Sequence, residues 1–392
     1  MPAAIIKQLC DFVDASPTAY HAVENIAAAL EARGALRLDE GEAWSLEPGR
    51  AYFVVRAGTA LVAFRPGLRP PAEEGFALAG AHTDSPALKA RLEKGLSGKG
   101  FERSPVEVYG GPILSTWLDR PLSLAGRVAL RGAAKASVEN RLVNFARPVG
   151  IVPNLAIHLN REVNKGFEYN AQSHLPVLLS SSGAAPAEPA GSAALLRLVA
   201  EELGVEPGAI LGADLYFVES QRCVQVGADP ALVNGYRLDD LTGCHAVLDG
   251  FIQAPPAPHG QVACFLDNEE VGSRSLMGAD SSFLRDLLGR VAALQGSSSE
   301  GFYRALSRSF SVSVDVAQAW HPSYPDKYDE AFAPIVNGGP AVKVNANMKY
   351  ATDGEAEARF RLLCEDAGAP CQKWMARADM TPARPSAPCP RP

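Results

Sequence analysis

Cysteine is scarce in this chain and never paired in a motif. Seven thiols are spread over 392 residues with no Cys-x-x-Cys spacing anywhere. That excludes a disulfide scaffold and a Cys-based zinc knuckle, and an odd, unspaced set reads as reduced thiols, hence cytoplasm. Positive charge is not in excess either. The formal net charge is −7, which argues against nucleic acid or an anionic membrane surface as partner. No apolar run approaches the roughly 18 residues a membrane helix needs. Met1 to Lys7 show no basic-then-apolar leader pattern, so no secretory leader is expected. What is there is ordinary globular material, 47% hydrophobic and 21% charged, long enough for two domains.

The most informative stretch is Val262-Ala263-Cys264-Phe265-Leu266 followed by Asp267-Asn268-Glu269-Glu270. A short apolar run with a β-branched start and an aromatic predicts a buried strand. Open α/β sheets place their chemistry where strands end at their carboxyl side. A turn there lets two neighbouring glutamates reach one site, one to bind a metal and one to handle a proton. A solvated acidic turn is the plain alternative. Phe76-Ala77-Leu78-Ala79-Gly80-Ala81 runs likewise into His82-Thr83-Asp84. Residues two apart on extended backbone share a face, so Asp84 can accept from one imidazole nitrogen while the other faces a metal. A histidine merely satisfied at a strand end would look the same.

Two more acidic positions follow this pattern. Asp239-Asp240 precede a helix running through Val247, where N-capping would equally explain them. Ser311-Val312-Ser313-Val314 alternates as a strand and presents Asp315 at its end. Four strand or helix ends therefore offer an imidazole and carboxylates, a donor set suited to a pair of divalent metals, zinc by default. Two ions about 3.5–4 Å apart can activate water and polarise a carbonyl or phosphoryl oxygen. These residues alone leave peptide and phosphoester hydrolysis open.

The chain in order predicts helices at 3–14 and 18–33, with Thr18 as an N-cap candidate, then strands at 51–56 and 60–64. From 92 to 224 short β-rich segments dominate, including 106–111, 115–120, 124–130 and an alternating 155–160. Asp119-Arg120 reads as an internal ion pair. Residues 180–192 read as a Ser/Gly/Ala/Pro-rich loop. Helices are expected at 282–293, 300–309 and 353–367, the last with Asp353 as N-cap, and Thr381 to Pro392 read as an unstructured proline-rich tail.

Five collinear motifs resemble the M18 family of metalloaminopeptidases. They are Gly80-Ala81-His82-Thr83-Asp84-Ser85-Pro86, Ser115-Thr116-Trp117-Leu118-Asp119-Arg120, Arg237-Leu238-Asp239-Asp240-Leu241, Asp267-Asn268-Glu269-Glu270-Val271-Gly272-Ser273, and Val344-Asn345-Ala346-Asn347 through Tyr350-Ala351-Thr352. The resemblance runs from Ser16 through Met380. It implies an α/β fold: a mixed-sheet catalytic domain with helices on both faces, built from 1–91 and 225–380, interrupted by a β-rich dimerisation domain over 92–224. It implies two zinc ions, with Co2+ or Mn2+ as substitutes. His82 would bind one zinc with Asp84 orienting it, Asp239 would bridge, Glu270 would bind the second zinc and Asp315 the first, and Glu269 would be the general base. His158 would reach an active site from a neighbouring subunit, as ligand or substrate contact. Asn347 and Lys349 would belong to the loop shaping substrate preference, with Asn347 where acidic-specific members carry a lysine. The implied reaction releases an unblocked N-terminal residue from a peptide, in a dimer-based homo-oligomer that is a dodecamer in the family. The family pattern continues past Met380 with a further histidine ligand, while this chain has no histidine after His321, so the expectation includes impaired activity. A non-catalytic assembly subunit of the same fold and a different two-metal hydrolase remain the alternatives.

Overall fold

A computed structural model describes residues 2–181 and 194–380. The expected tail at 381–392 and most of the expected loop at 180–192 lie outside the described residues. Two compact units emerge: residues 1–42, 52–61 and 83–241 form one, and 43–51, 62–82 and 242–392 the other.

The first unit opens with helices Pro2–Ala15 and Ala19–Glu31. Tyr20, Ala22, Val23, Ile26, Ala27 and Leu30 are buried, the three-to-four spacing that makes one face of a helix apolar. Thr18 holds the N-cap backbone conformation but caps nothing with its side chain. Its hydroxyl pairs instead with Nδ1 of His21 at 2.9 Å. His21 is pushed down to about 4, first by burial and then by the Arg237 guanidinium. A proton on His21 is therefore bound more tightly by the unfolded chain, so stability is full above about pH 6.5 and is lost as pH falls toward 4. After discounting for solvent, the loss should be on the order of 1–2 kcal/mol. Denaturant titrations between pH 7 and 4 should show this acid limb, flattened in His21→Gln.

The unit also holds a nine-stranded sheet whose long central strands, Pro121–Arg131 and Ile210–Glu219, pair antiparallel. Leu122, Leu124, Val128, Leu215 and Phe217 fill its core. Gly126 sits where these strands touch: a Cβ there would lie 2.0 Å from the Asp214 carbonyl oxygen, so only glycine fits. Two expectations fail here. Residues 114–117 form a 3₁₀ turn, not a strand. Leu155 to Asn160 form no strand either, with a turn at 157–159 and Leu155, Ile157 and Leu159 exposed. Alternation specifies a strand only where a partner strand and a buried face exist. Asp119 and Arg120 do not pair with each other. Asp119 accepts from the Asn154 amide at 2.8 Å, and Arg120 pairs with Glu219.

In the second unit the strands Gly260–Leu266, Phe76–His82 and Phe310–Ser313 lie side by side in that order. All three run parallel, and the register places Leu266 opposite His82 and Ser313 opposite Gly80. Phe76–His82 lies between its two partners, so all three release their chains at one edge. Val262 through Leu266 are all buried, the unbroken apolar run expected of a strand covered on both faces. Helices Phe283–Leu294 and Ser299–Arg308 follow, and Asp353 caps the helix Gly354–Asp366 by accepting from the Ala356 amide at 2.8 Å. Together the chain is a mixed α/β fold.

Candidate metal centre

The carboxyl edge of the parallel strands is built by register. The Val314 amide donates to the Gly80 carbonyl at 2.7 Å, which extends the ladder by one step and brings Asp315 level with His82. His82, only 6% exposed, ends its strand. Within this unit one ring nitrogen of His82 and one carboxylate oxygen of Asp315 lie within 4.8 Å of each other. An imidazole and a carboxylate in reach of a common point suit zinc's ligand chemistry.

Asp239 stands in the helix Leu238–Gln253, but its own backbone is not helical (φ −89°, ψ 109°), nor is that of Asp240. The Asp239–Asp240 peptide is cis. The Asp239 carbonyl accepts from the Ser85 hydroxyl at 2.7 Å.

Glu269 and Glu270 open a 3₁₀ turn, Glu269–Val271. The turn is tied tightly to the strand end. Asn268 takes a left-handed conformation (φ 64°), which asparagine tolerates better than most residues. Its amide donates to Asp267 Oδ1 at 2.7 Å, and its carbonyl accepts from the Ser273 amide at 2.7 Å. A Cβ on Gly278 would lie 2.1 Å from the Ser273 carbonyl, so the loop closes only because residue 278 has none. This places Glu269 in the wall of a small cavity shared with His82, Asp267, Ser273 and Asp315. Glu270 is the next residue of the same turn and is not in that wall.

Two partners were silent in the sequence. Tyr109 donates its hydroxyl to Asp84 Oδ2 at 2.7 Å, holding a carboxylate that is 5% exposed. Lys343 donates to Asp315 Oδ2 at 2.8 Å. Neither residue type in an alternating strand carries a chemical signal. His158 is exposed, in the turn at 157–159, and is not in the ligand group. Asn347 and Lys349 lie in the loop after the strand Ala341–Lys343, where Asn345 Oδ1 accepts from both their amides at 3.0 and 3.4 Å.

Known proteins share this arrangement's host. A family profile described as Aminopeptidase I zinc metalloprotease (M18) matches residues 12–384. A probable M18 family aminopeptidase 2 of Pseudomonas aeruginosa (strain UCBPP-PA14) is 43% identical over 384 residues, covering 97% of this chain and 87% of that protein. The cryo-EM structure of the Ape4 and Nbr1 complex superposes with a TM-score of 0.93 at 31% identity, over 98% of this chain and 77% of that one. The S. cerevisiae mApe1 dodecamer gives a TM-score of 0.81 at 25% identity, over 94% and 84%.

Proposed function

The chain belongs to the M18 family of aminopeptidase I zinc metalloproteases, and from that premise we propose that it removes unblocked N-terminal residues from peptides by activating water, with Glu269 as the general base. The observation that supports this reading is that His82 and Asp315 share the wall of one small cavity with Glu269. Zinc held there would polarise the scissile carbonyl and lower the pKa of the attacking water.

The protein's own groups do the rest. His82, Asp239 and Asp315 would provide ligand atoms, and Glu270 would be a further ligand if a second ion is held. Asp84, itself fixed by Tyr109, would keep the His82 ring in its ligating tautomer and orientation. Glu269 would take the proton from the attacking water and return it to the leaving amine. Asn347 and Lys349 would line the approach of the substrate's first side chain. Asn347 supplies no cation, so acidic residues gain no special advantage from that position.

Assembly belongs to the same reading. The related mApe1 forms a dodecamer, and this chain exposes Leu155, Ile157 and Leu159 around His158. The β-rich segment 92–224 would form dimer contacts there and carry His158 to a neighbouring site. Membership in an aminopeptidase family leaves phosphoester hydrolysis without support. Among the described residues no helix is long and apolar enough to cross a membrane, and the six described cysteines form no disulfide, which fits a reducing cytoplasm.

The test is hydrolysis of free-amine aminoacyl chromogenic substrates with Asp, Glu, Leu and Lys at the cleaved position, with zinc, cobalt or manganese added. Turnover of the free-amine substrates and none of their N-acetylated forms is the expected result. Equal turnover of blocked substrates, or none of either by folded, metal-loaded protein, would overturn the proposal.

A further inference from the structure

Asp315 has little to orient it from its own segment. Its strand ends at Ser313, the last ladder-like bond is that of the Val314 amide, and residues 314–321 hold no regular structure. Orientation comes from across the unit. Lys343 ends the strand Ala341–Lys343, which pairs parallel with Gln372–Trp374 so that Lys343 stands opposite Trp374. Its side chain is 15% exposed and that of Asp315 24%. The ammonium donates to Asp315 Oδ2 at 2.8 Å and to the Val316 carbonyl at 3.1 Å. One cation thus grips the carboxylate and the backbone immediately after it. The buried Tyr350 ring lies 5.9 Å from the same nitrogen. Burial first, and the negative Asp315 second, push the Tyr350 hydroxyl up, so charge at Asp315 is felt on this side of the site.

We propose that Lys343 is a positioning residue of the metal centre, holding one oxygen of Asp315 so that the carboxylate is presented to the ion in a fixed orientation. The inference rests on the reading of Asp315 as a metal ligand. Two physical effects of opposite sign meet here. A cation beside a cation site repels the ion. A ligand whose far oxygen is held loses less freedom on binding, and outer-shell partners of ligating groups are typically worth about 10–100-fold in metal affinity. A lysine that is mostly buried and bonded to two adjacent residues has its side-chain entropy already spent, which favours orientation as the stronger effect.

The experiment compares zinc affinity of the full chain, by competition with a chromophoric chelator, for wild type, Lys343→Met and Lys343→Arg, alongside thermal unfolding of the metal-free forms. The expected result is an affinity about 10–100-fold weaker in Lys343→Met, largely restored in Lys343→Arg, with metal-free unfolding little changed. Zinc binding as tight as wild type, or tighter, in folded Lys343→Met overturns the proposal, because repulsion would then outweigh orientation. A lowered unfolding temperature with unchanged affinity also overturns it, since the role would be structural alone. Should Lys343→Met not fold, Lys343→Gln, which keeps a donor without the charge, gives the same comparison with a smaller expected loss. Asp315→Asn separates the two layers: if it binds zinc like wild type, the ligand reading fails and this inference falls with it, whereas a defect in Asp315→Asn with none in Lys343→Met sinks the role of Lys343 alone.

Discussion

Replacing Glu269 by Gln should lower kcat on a free-amine substrate by about 10²–10⁴-fold, the usual worth of a positioned general base, while leaving zinc content and KM near wild type. The substitution keeps side-chain volume and one acceptor oxygen but removes the group that takes a proton at neutral pH. The loop should tolerate it. Its shape is held by backbone bonds among residues 267–280, such as Gly272 to Glu269 at 2.9 Å and Ser273 to Asn268 at 2.7 Å. The measurement is steady-state kinetics with metal analysis on the same samples. A loss of zinc together with activity would show that Glu269 acts as a ligand and not as a base. Full activity in the variant would remove it from the chemistry altogether.

The elements that carry the site were legible because each is local. An apolar run ending in polar residues specifies a strand and its terminus with no knowledge of neighbours, so Phe76–His82 and Gly260–Leu266 could be read from their own residues. Their alignment could not. The pairing of Leu266 with His82 joins residues far apart in sequence, and it is this register that turns separate strand ends into one edge. Asp239 shows the limit from the other side. Two aspartates before a helix admit capping or ligation, and the non-helical backbone they adopt depends on the surrounding fold.

Pattern alone does not make a strand. The alternation Leu155-Ala156-Ile157-His158-Leu159-Asn160 satisfies a strand template, yet no described strand pairs with it and its apolar side chains are exposed. A two-residue period is a statement about which faces side chains take if a strand forms, not about whether a partner exists. Tyr109 and Lys343 were invisible for the converse reason. Their significance lies in what they touch, Asp84 and Asp315, and both contacts are made at long sequence separation.

His82→Gln should abolish zinc-dependent stabilisation while leaving the metal-free fold largely intact. A ligand that binds only the folded state adds stability as RT ln(1 + [L]/Kd), about 2.7 kcal/mol when zinc is at a hundred times its dissociation constant. Losing a direct ligand should weaken affinity by more than the roughly 10–100-fold that an outer-shell partner is worth, so at the same zinc concentration most of that increment disappears. The strand itself should survive. His82 is held in the sheet through its backbone, with its carbonyl accepting from the Cys244 thiol at 3.0 Å, and glutamine fills part of the imidazole's space. Thermal unfolding with and without zinc gives the result directly. Wild type should shift upward on adding zinc and His82→Gln should not. An equal upward shift in both would mean that the ion stabilising the protein is held elsewhere, and the closeness of His82 and Asp315 would then be crowding without a metal.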